Sequence, residues 1–65
     1  MKQYIITSNA QSKLDQYQIN RAFEMWHHGK REEDDPNMLT TKIEGKDIWI
    51  IENEEAVTLL LPEDY

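Results

Sequence analysis

The stretch that most constrains the fold is residues 41–61, TKIEGKDIWIIENEEAVTLLL, where short apolar runs alternate with turn-forming residues. The runs are rich in β-branched and aromatic residues and too short for typical helices, so they favour strands. Pro62 follows the last run and cannot continue a sheet. The stretch, with the weaker run before it, therefore predicts an antiparallel meander of three strands at residues 38–44, 47–52 and 56–61.

The first turn of this meander is predicted at Gly45-Lys46, a two-residue hairpin loop with glycine first, as a type II′ turn requires. That loop places Ile43 opposite Ile48. Each strand would then direct alternate side chains to a buried face. The predicted core face comprises Ile43, Ile48, Ile50, Val57, Leu59 and Leu61.

The second turn has two candidate loops, either Asn53-Glu54 or the slightly longer segment 52–55. The shorter loop would pair Ile50 with Val57. Both choices connect two antiparallel strands.

Residues 2–7, KQYIIT, predict a further strand, because β-branched and aromatic residues dominate them. Ser8 and Gln11 then have the spacing of a helix capping box. No proline or glycine interrupts the chain until Gly29, which suits the position just after a helix. We therefore expect one helix of about twenty residues between Ser8 and His28, at 1.5 Å per residue.

This helix carries two apolar stripes instead of the single stripe of an ordinary surface helix. One option is that the N-terminal turns lie outside the core, and only the stripe that contains Ile19 and Trp26 packs on the sheet. The other is that both are buried, one of them against another chain. At 100° per residue, the stripes are Ala10, Leu14, Tyr17 and Met25 on one side, and Ile19, Ala22, Phe23 and Trp26 on the other.

These elements predict an α+β fold, a single small domain over residues 1–65 with the order β-α-β-β-β and one helix packed on an antiparallel sheet. The first strand is expected at an edge of the sheet. Residues 30–37, KREEDDPN, are expected to form a mobile charged loop, and residues 62–65 a short frayed tail.

A domain of 65 residues buries only about 60% of its unfolded surface. The chain has no cysteine and lacks an apolar run of about 20 residues. Its N-terminal segment also lacks the apolar core of a signal peptide. We therefore expect a cytoplasmic protein without a membrane segment.

Charge is unevenly distributed along the chain. Residues 1–31 carry five basic and two acidic side chains, whereas residues 32–65 carry eleven acidic and two basic ones. Phosphate contacts need clustered Lys and Arg, so the acidic half disfavours nucleic-acid binding. It suits a basic protein partner or imitation of a phosphate backbone, although acidity also keeps small domains soluble.

We expect no metal site, cofactor or catalytic centre. His27 and His28 are adjacent on a helix, so their side chains diverge by about 100°, and their position near its C-terminus matches the helix dipole. No glycine-rich phosphate loop or nucleophile motif is present. The expectation is a protein that is not an enzyme.

The reverse face of the meander carries Trp49, Ile51 and Leu60, which one helix cannot cover together with the core face. Such apolar surface is typical of interaction sites, and tryptophan is enriched in binding hot spots. The other reading is that the sheet twists or curls and that the charged loop or the N-terminal segment covers Trp49. The predicted partner-binding residues are Trp49, Ile51, Leu60, Trp26, Phe23, Glu52, Glu54, Glu55, Glu32, Glu33, Asp34 and Asp35.

These features lead to the hypothesis of a small inhibitor or regulator that occupies the surface of a partner protein, which could be a basic nucleic-acid-binding groove. A phage or mobile-element anti-defence protein or an antitoxin-like neutraliser would fit by analogy of size and charge. The alternatives are a homodimer that buries its own excess apolar surface, and a nucleic-acid-binding regulator that uses Lys13, Arg21, Lys30 and Arg31 with Tyr17 and Trp26.

Overall fold

The computed structural model describes residues 2–65, which form a four-stranded sheet with two helices on one face. The α+β class is confirmed. In chain order the elements are β1 (Gln3–Ile6), α1 (Ser8–Lys13), α2 (Gln16–His27), β2 (Met38–Ile43), β3 (Lys46–Glu52), β4 (Ala56–Leu60) and a 3₁₀ turn (Pro62–Asp64).

The strands lie in the order β1-β4-β3-β2. The predicted meander is present, since β2 pairs with β3 and β3 with β4, both antiparallel. The first strand lies at an edge as expected, but it is parallel to β4, so the sheet is mixed and not wholly antiparallel. The crossover through the helices permits this direction, because parallel neighbours need a long connection.

The single long helix was wrong, because the chain breaks between α1 and α2. Leu14 is extended, with φ −107° and ψ 145°. Asp15 then caps α2: its side chain accepts from the Gln18 N–H at 2.9 Å, and Gln18 Oε1 accepts from the Asp15 N–H at 3.0 Å. This capping box competes with helix continuation because it satisfies backbone donors locally.

The N-cap of α1 is Thr7 and not Ser8. The Thr7 hydroxyl accepts from the Ala10 N–H at 3.2 Å, while the residue itself stays extended. Threonine serves this position well. The predicted N-cap is therefore displaced by one residue, and the predicted capping box does not form, because the residue at its third position is Ala10.

The break also resolves the two apolar stripes, because it re-orients α1 relative to α2. Ala10 and Leu14 enter the same core as Ile19, Ala22 and Trp26. Neither sequence-based option was right, since residues from both stripes pack within one chain. Tyr17 is the exception, with 59% of its surface exposed.

The hairpin between β2 and β3 turns at Glu44-Gly45 instead of Gly45-Lys46. Both residues have positive φ, 52° and 81°, as a type I′ turn requires. Thr41 therefore pairs with Ile48, a shift of two residues from the prediction. A shift of two leaves every side chain on its predicted face.

The loop between β3 and β4 is Asn53–Glu55, close to the longer of the two predicted loops. The Asn53 side chain accepts from the backbone N–H of Glu55 at 2.8 Å and of Ala56 at 2.9 Å, which fixes the turn. Ile50 pairs with Leu59 as a result. All six predicted core-face residues are buried: Ile43, Ile48, Ile50, Val57, Leu59 and Leu61.

The cap on α2 gives a stability prediction. Replacing Asp15 with alanine removes the acceptor for the Gln18 N–H and should lower the free energy of unfolding by about 1 kcal/mol. Urea denaturation measures the change. Asp34→Ala, the same substitution in an exposed loop, serves as the control and should cost less than about 0.5 kcal/mol. Equal losses in the two variants would contradict the capping role.

Candidate functional site

The side of the sheet opposite α1 and α2 has no α-helix over it in residues 2–65. We call it the open face and define it by six side chains that alternate with the core residues. The register aligns four of them, one from each strand, in a row across the sheet. The open face comprises Ile5, Thr58, Ile51 and Met38 in that row, with Trp49 and Thr40 beside it.

Trp49 is the largest side chain on the open face and is only half-buried. The Tyr65 ring lies 5.3 Å from it, edge-to-face at 62°. Leu60, its neighbour on β4, is 7% exposed. Three sheet residues were predicted to bind a partner. Trp49 and Ile51 are partly exposed, whereas Leu60 is buried on the same face.

The tail is folded against the chain, so the expectation of a frayed segment at residues 62–65 was wrong. Asp64 Oδ2 accepts from the Leu61 N–H at 3.1 Å and from the Thr7 hydroxyl at 2.8 Å. Both bonds favour the ionised carboxylate and lower the pKa of Asp64. Lys13 Nζ also lies 2.6 Å from Glu63 Oε2. These contacts hold Tyr65 near Trp49.

Trp26 is not available to a partner, because only 3% of its surface is exposed. The Arg31 guanidinium stacks 3.3 Å above its ring and donates to its carbonyl oxygen at 2.7 Å. Phe23 is half-buried against the core, with its ring 5.5 Å from that of Tyr4. The prediction of an exposed anchor on α2 was therefore wrong for Trp26.

Tyr4 is an aromatic residue that the sequence analysis did not assign to a site. Its side chain is 51% exposed and its ring also lies 5.3 Å from that of His27. The register places Tyr4 beside Val57 on the core face, but β1 is an edge strand, so the core covers only one side of the ring. Only knowledge of the strand order would have revealed this exposure.

Two acidic segments that are distant in sequence lie at one end of the sheet. Residues 32–35 precede β2 and the Asn53–Glu55 loop follows β3, and the antiparallel pairing brings these ends together. The Glu52 N–H donates to the Asn37 carbonyl at 2.8 Å across this end. We call this the acidic end, and its carboxylates are Glu32, Glu33, Asp34, Asp35, Glu52, Glu54 and Glu55.

Three of these seven carboxylates have contacts within the chain. Glu32 Oε2 accepts from the Thr40 N–H at 3.2 Å, and Asp35 Oδ1 from the Asn37 N–H at 3.0 Å. Glu52 Oε2 lies 2.7 Å from Lys2 Nζ. Within residues 2–65 no hydrogen bond or ion pair involves the remaining carboxylates, Glu33, Asp34, Glu54 and Glu55.

The charged loop at residues 30–37 follows a hydrogen-bonded path along the outer side of β2. The Glu32 N–H donates to the Met38 carbonyl at 2.8 Å, and the Met38 N–H donates to the Asp35 carbonyl at 3.2 Å. Together with the Arg31–Trp26 stack, these bonds hold the loop to β2 and α2. The expectation of a mobile loop considered only the repulsion between its acidic side chains and did not include these local hydrogen bonds.

Of the basic side chains considered for nucleic-acid binding, Arg21 and Lys30 lie together on the exposed side of α2, near Tyr17 and Glu24, while Lys13 and Arg31 are engaged elsewhere. Lys13 pairs with Glu63, Arg21 pairs with Glu24 on α2, and Arg31 stacks on Trp26. Across residues 2–65, no three His, Asp or Glu side chains are grouped closely enough to hold a metal ion.

The pKa of Asp64 gives a prediction about the tail. This pKa is lower in the folded chain than its ordinary value of 3.8, so the bonds to the carboxylate stabilise the tail fully above pH 3.8 and are lost as the pH falls through the lower, folded pKa. In a Trp26→Phe background, acidification should shift the Trp49 emission to longer wavelengths while the far-UV circular dichroism is still unchanged.

The matched variant is Asp64→Ala, which should already show the shifted emission at neutral pH. Its acid transition should be smaller but not absent, because Lys13 also lowers the pKa of Glu63. Identical emission from Asp64→Ala and its parent at neutral pH would show that Asp64 does not hold Tyr65 near Trp49.

Comparison with known proteins adds no relative to this description. No family model, curated protein or solved structure matches the chain. Among residues 2–65 there is also no helix with the length and apolar character needed to cross a membrane.

Proposed function

We propose that this chain is a small, acidic, non-catalytic protein-binding module that inhibits or regulates a partner protein by occupying its surface. The observation that carries the proposal is the junction of the open face with the acidic end. On β3, Ile51 of the open face directly precedes Glu52, and the Asn53–Glu55 loop follows.

This junction has the layout of a protein interface, with apolar area next to a polar rim. Trp49 and Ile51 supply partly exposed apolar surface, and Trp49 is the residue type most enriched in binding hot spots. Glu54 and Glu55 supply charge with no partner among the described residues. Apolar contact would give affinity, while the carboxylates would raise the association rate and select a basic partner.

The charge of the acidic end indicates what kind of partner fits. Four carboxylates without internal partners, on two neighbouring loops, form a dense negative surface that attracts clustered Lys and Arg. Proteins present such clusters where they bind nucleic acid. A basic nucleic-acid-binding groove is therefore the target that we propose, and an anti-defence protein or antitoxin-like neutraliser would use this mechanism.

The contact set is smaller than the one proposed from sequence. Trp26 and Leu60 are buried, and the Glu32 carboxylate is bound to the edge of β2. The residues that we propose to meet the partner are Trp49, Ile51, Glu33, Asp34, Glu54 and Glu55, with Glu52 and Asp35 beside them and Phe23 outside the surface.

Charge reversal at the acidic end tests the proposal. In affinity capture from an extract of the source cells, the double variant Glu54→Lys/Glu55→Lys should retain the partner at least about tenfold more weakly than the unaltered chain. Binding of the purified partner should also lose part of its salt dependence. Nuclease treatment before capture excludes bridging by nucleic acid.

The matched control reverses two charges at the opposite end of the sheet, Glu44→Lys/Asp47→Lys, and changes the net charge equally. It should retain the partner. If both double variants bind alike, net charge and not the acidic end determines binding, and the proposal fails. Competition between the chain and a DNA or RNA duplex for the purified partner then tests the groove specifically.

The apolar half of the surface has its own test. Trp49→Ala should weaken partner binding by about 2 kcal/mol, mainly through faster dissociation, because it removes a hot-spot side chain. Surface plasmon resonance separates the two rate constants. Tyr17→Ala, which removes another exposed aromatic side chain on α2, is the control and should have little effect. Unchanged dissociation for Trp49→Ala would remove the open face from the proposed surface.

A further inference from the structure

The two edges of the sheet are treated differently. At the β2 edge, the Glu32 N–H donates to the Met38 carbonyl and the Glu32 carboxylate accepts from the Thr40 N–H. The loop thereby satisfies outward-facing groups of β2, as proteins commonly do to prevent pairing with another chain. The β1 edge has no such cover within residues 2–65.

The hydrogen bonds of β1 define which of its peptide groups face outward. The Gln3 N–H donates to Glu55 and the Thr7 N–H to Leu59, so the odd-numbered residues face β4. The peptide groups of Tyr4 and Ile6 therefore point away from the sheet, because hydrogen-bonding directions alternate along a strand. This edge presents two donors and two acceptors.

The side chains of β1 are equally unprotected. Tyr4 is 51% exposed and Ile5 is 40% exposed, and each lies on a different face of the sheet. A strand with free peptide groups and apolar side chains on both faces is suited to pairing with another strand.

The distribution of charge indicates which molecule supplies the strand that pairs with β1. The chain has a net charge of −6, so two copies associate most readily where exposed acidic groups do not face one another. Residues 2–14 contain no acidic residue, and the neighbouring carboxylates of Glu52 and Asp64 are bound by Lys2 and Thr7. Glu54 and Glu55 lie beside Lys2 and Gln3, at one end of this edge only. Two antiparallel copies therefore place these carboxylates at opposite ends of the shared edge, where they do not face one another.

We propose that β1 pairs with β1 of a second copy in an antiparallel arrangement, joining two four-stranded sheets into one of eight strands. The two-fold axis passes between Ile5 of one copy and Ile5 of the other. Tyr4 then exchanges two backbone hydrogen bonds with Ile6 of the second copy, and Ile6 with its Tyr4, which uses all four outward donors and acceptors. Ile5 faces its own counterpart across the axis.

The geometry also explains why self-association through this edge is modest. The strand has four residues, so the area it buries is at the small end for specific interfaces. Tyr4, Phe23 and His27 form an aromatic cluster beside the strand and add apolar surface on the helix side. The dimer is therefore expected to form at high micromolar concentration. It uses only Ile5 of the open face, so Trp49, Ile51 and the acidic end stay free.

The position of Ile5 on the axis gives a sharp test by sedimentation equilibrium between about 10 μM and about 1 mM, the range where weak interfaces associate. Ile5→Lys and Ile5→Glu each place like charges opposite one another and should each raise the dimer dissociation constant about tenfold or more. An equimolar mixture of the two variants should restore dimerisation, because it pairs Lys with Glu.

A second readout keeps the test independent of folding defects in these variants. In the unaltered chain, amide exchange at Tyr4 and Ile6 should slow as the protein concentration rises, while exchange at other exposed amides, such as Asp34, should not change. Far-UV circular dichroism checks that the variants are folded.

A monomer up to about 1 mM, or a dimer that Ile5→Lys leaves intact, would overturn the proposal. So would a mixture of the two charged variants that stays monomeric. Trp49→Ala should leave the dimer unchanged; its loss in that variant would mean that the open face, and not β1, joins the copies. Because partner binding uses a different surface, each proposal can fail without the other.

Discussion

The fold depends on a small polar network in which Gln18 connects the helices to the sheet. Its side chain accepts from the Asp15 N–H and donates to the Ile43 carbonyl at 3.1 Å, while Asp15 accepts from the Gln18 N–H. Gln18 is the only buried polar side chain within residues 2–65, and its polar atoms are satisfied. The network ends one helix, starts the next and sets their position over the sheet. The packing of Ala10 and Leu14 beside Trp26 follows from it.

Alternation of apolar residues was enough to predict the class, the meander and the six core side chains, because burial on one face requires a period of two. It could not predict the register, since turns at Glu44-Gly45 and Gly45-Lys46 leave the same residues buried. The helix break was missed because Asp15 tolerates a helix interior and no Gly or Pro marks the site. The spacing of Asp15 and Gln18 did carry a capping signal, which competed with that of Ser8 and Gln11.

The candidate surface was predictable in part. Trp49 and Ile51 follow from alternation, and the acidic residues follow from composition, but their adjacency required the strand pairing. Trp26 was misplaced because a periodic pattern cannot show that the Arg31 side chain closes over a ring. Tyr4 was overlooked because its exposure comes from the strand order. Glu32 was predicted to contact a partner, but in the structure its carboxylate binds the Thr40 N–H and covers the β2 edge.

The parallel pairing of β1 with β4 affects how the chain folds as it is synthesised. Residues 3–6 pair with residues 56–59, so the first strand must wait until residues 56–59 have left the ribosome. Contacts this distant in sequence also slow folding, because a long loop closes before they form. The β2–β3 hairpin can form before residues 56–59 emerge, and β4 then joins it across a short loop sooner than β1 reaches β4. During that interval the β4 edge is uncovered, and a chaperone or a second nascent chain has its best opportunity to bind there.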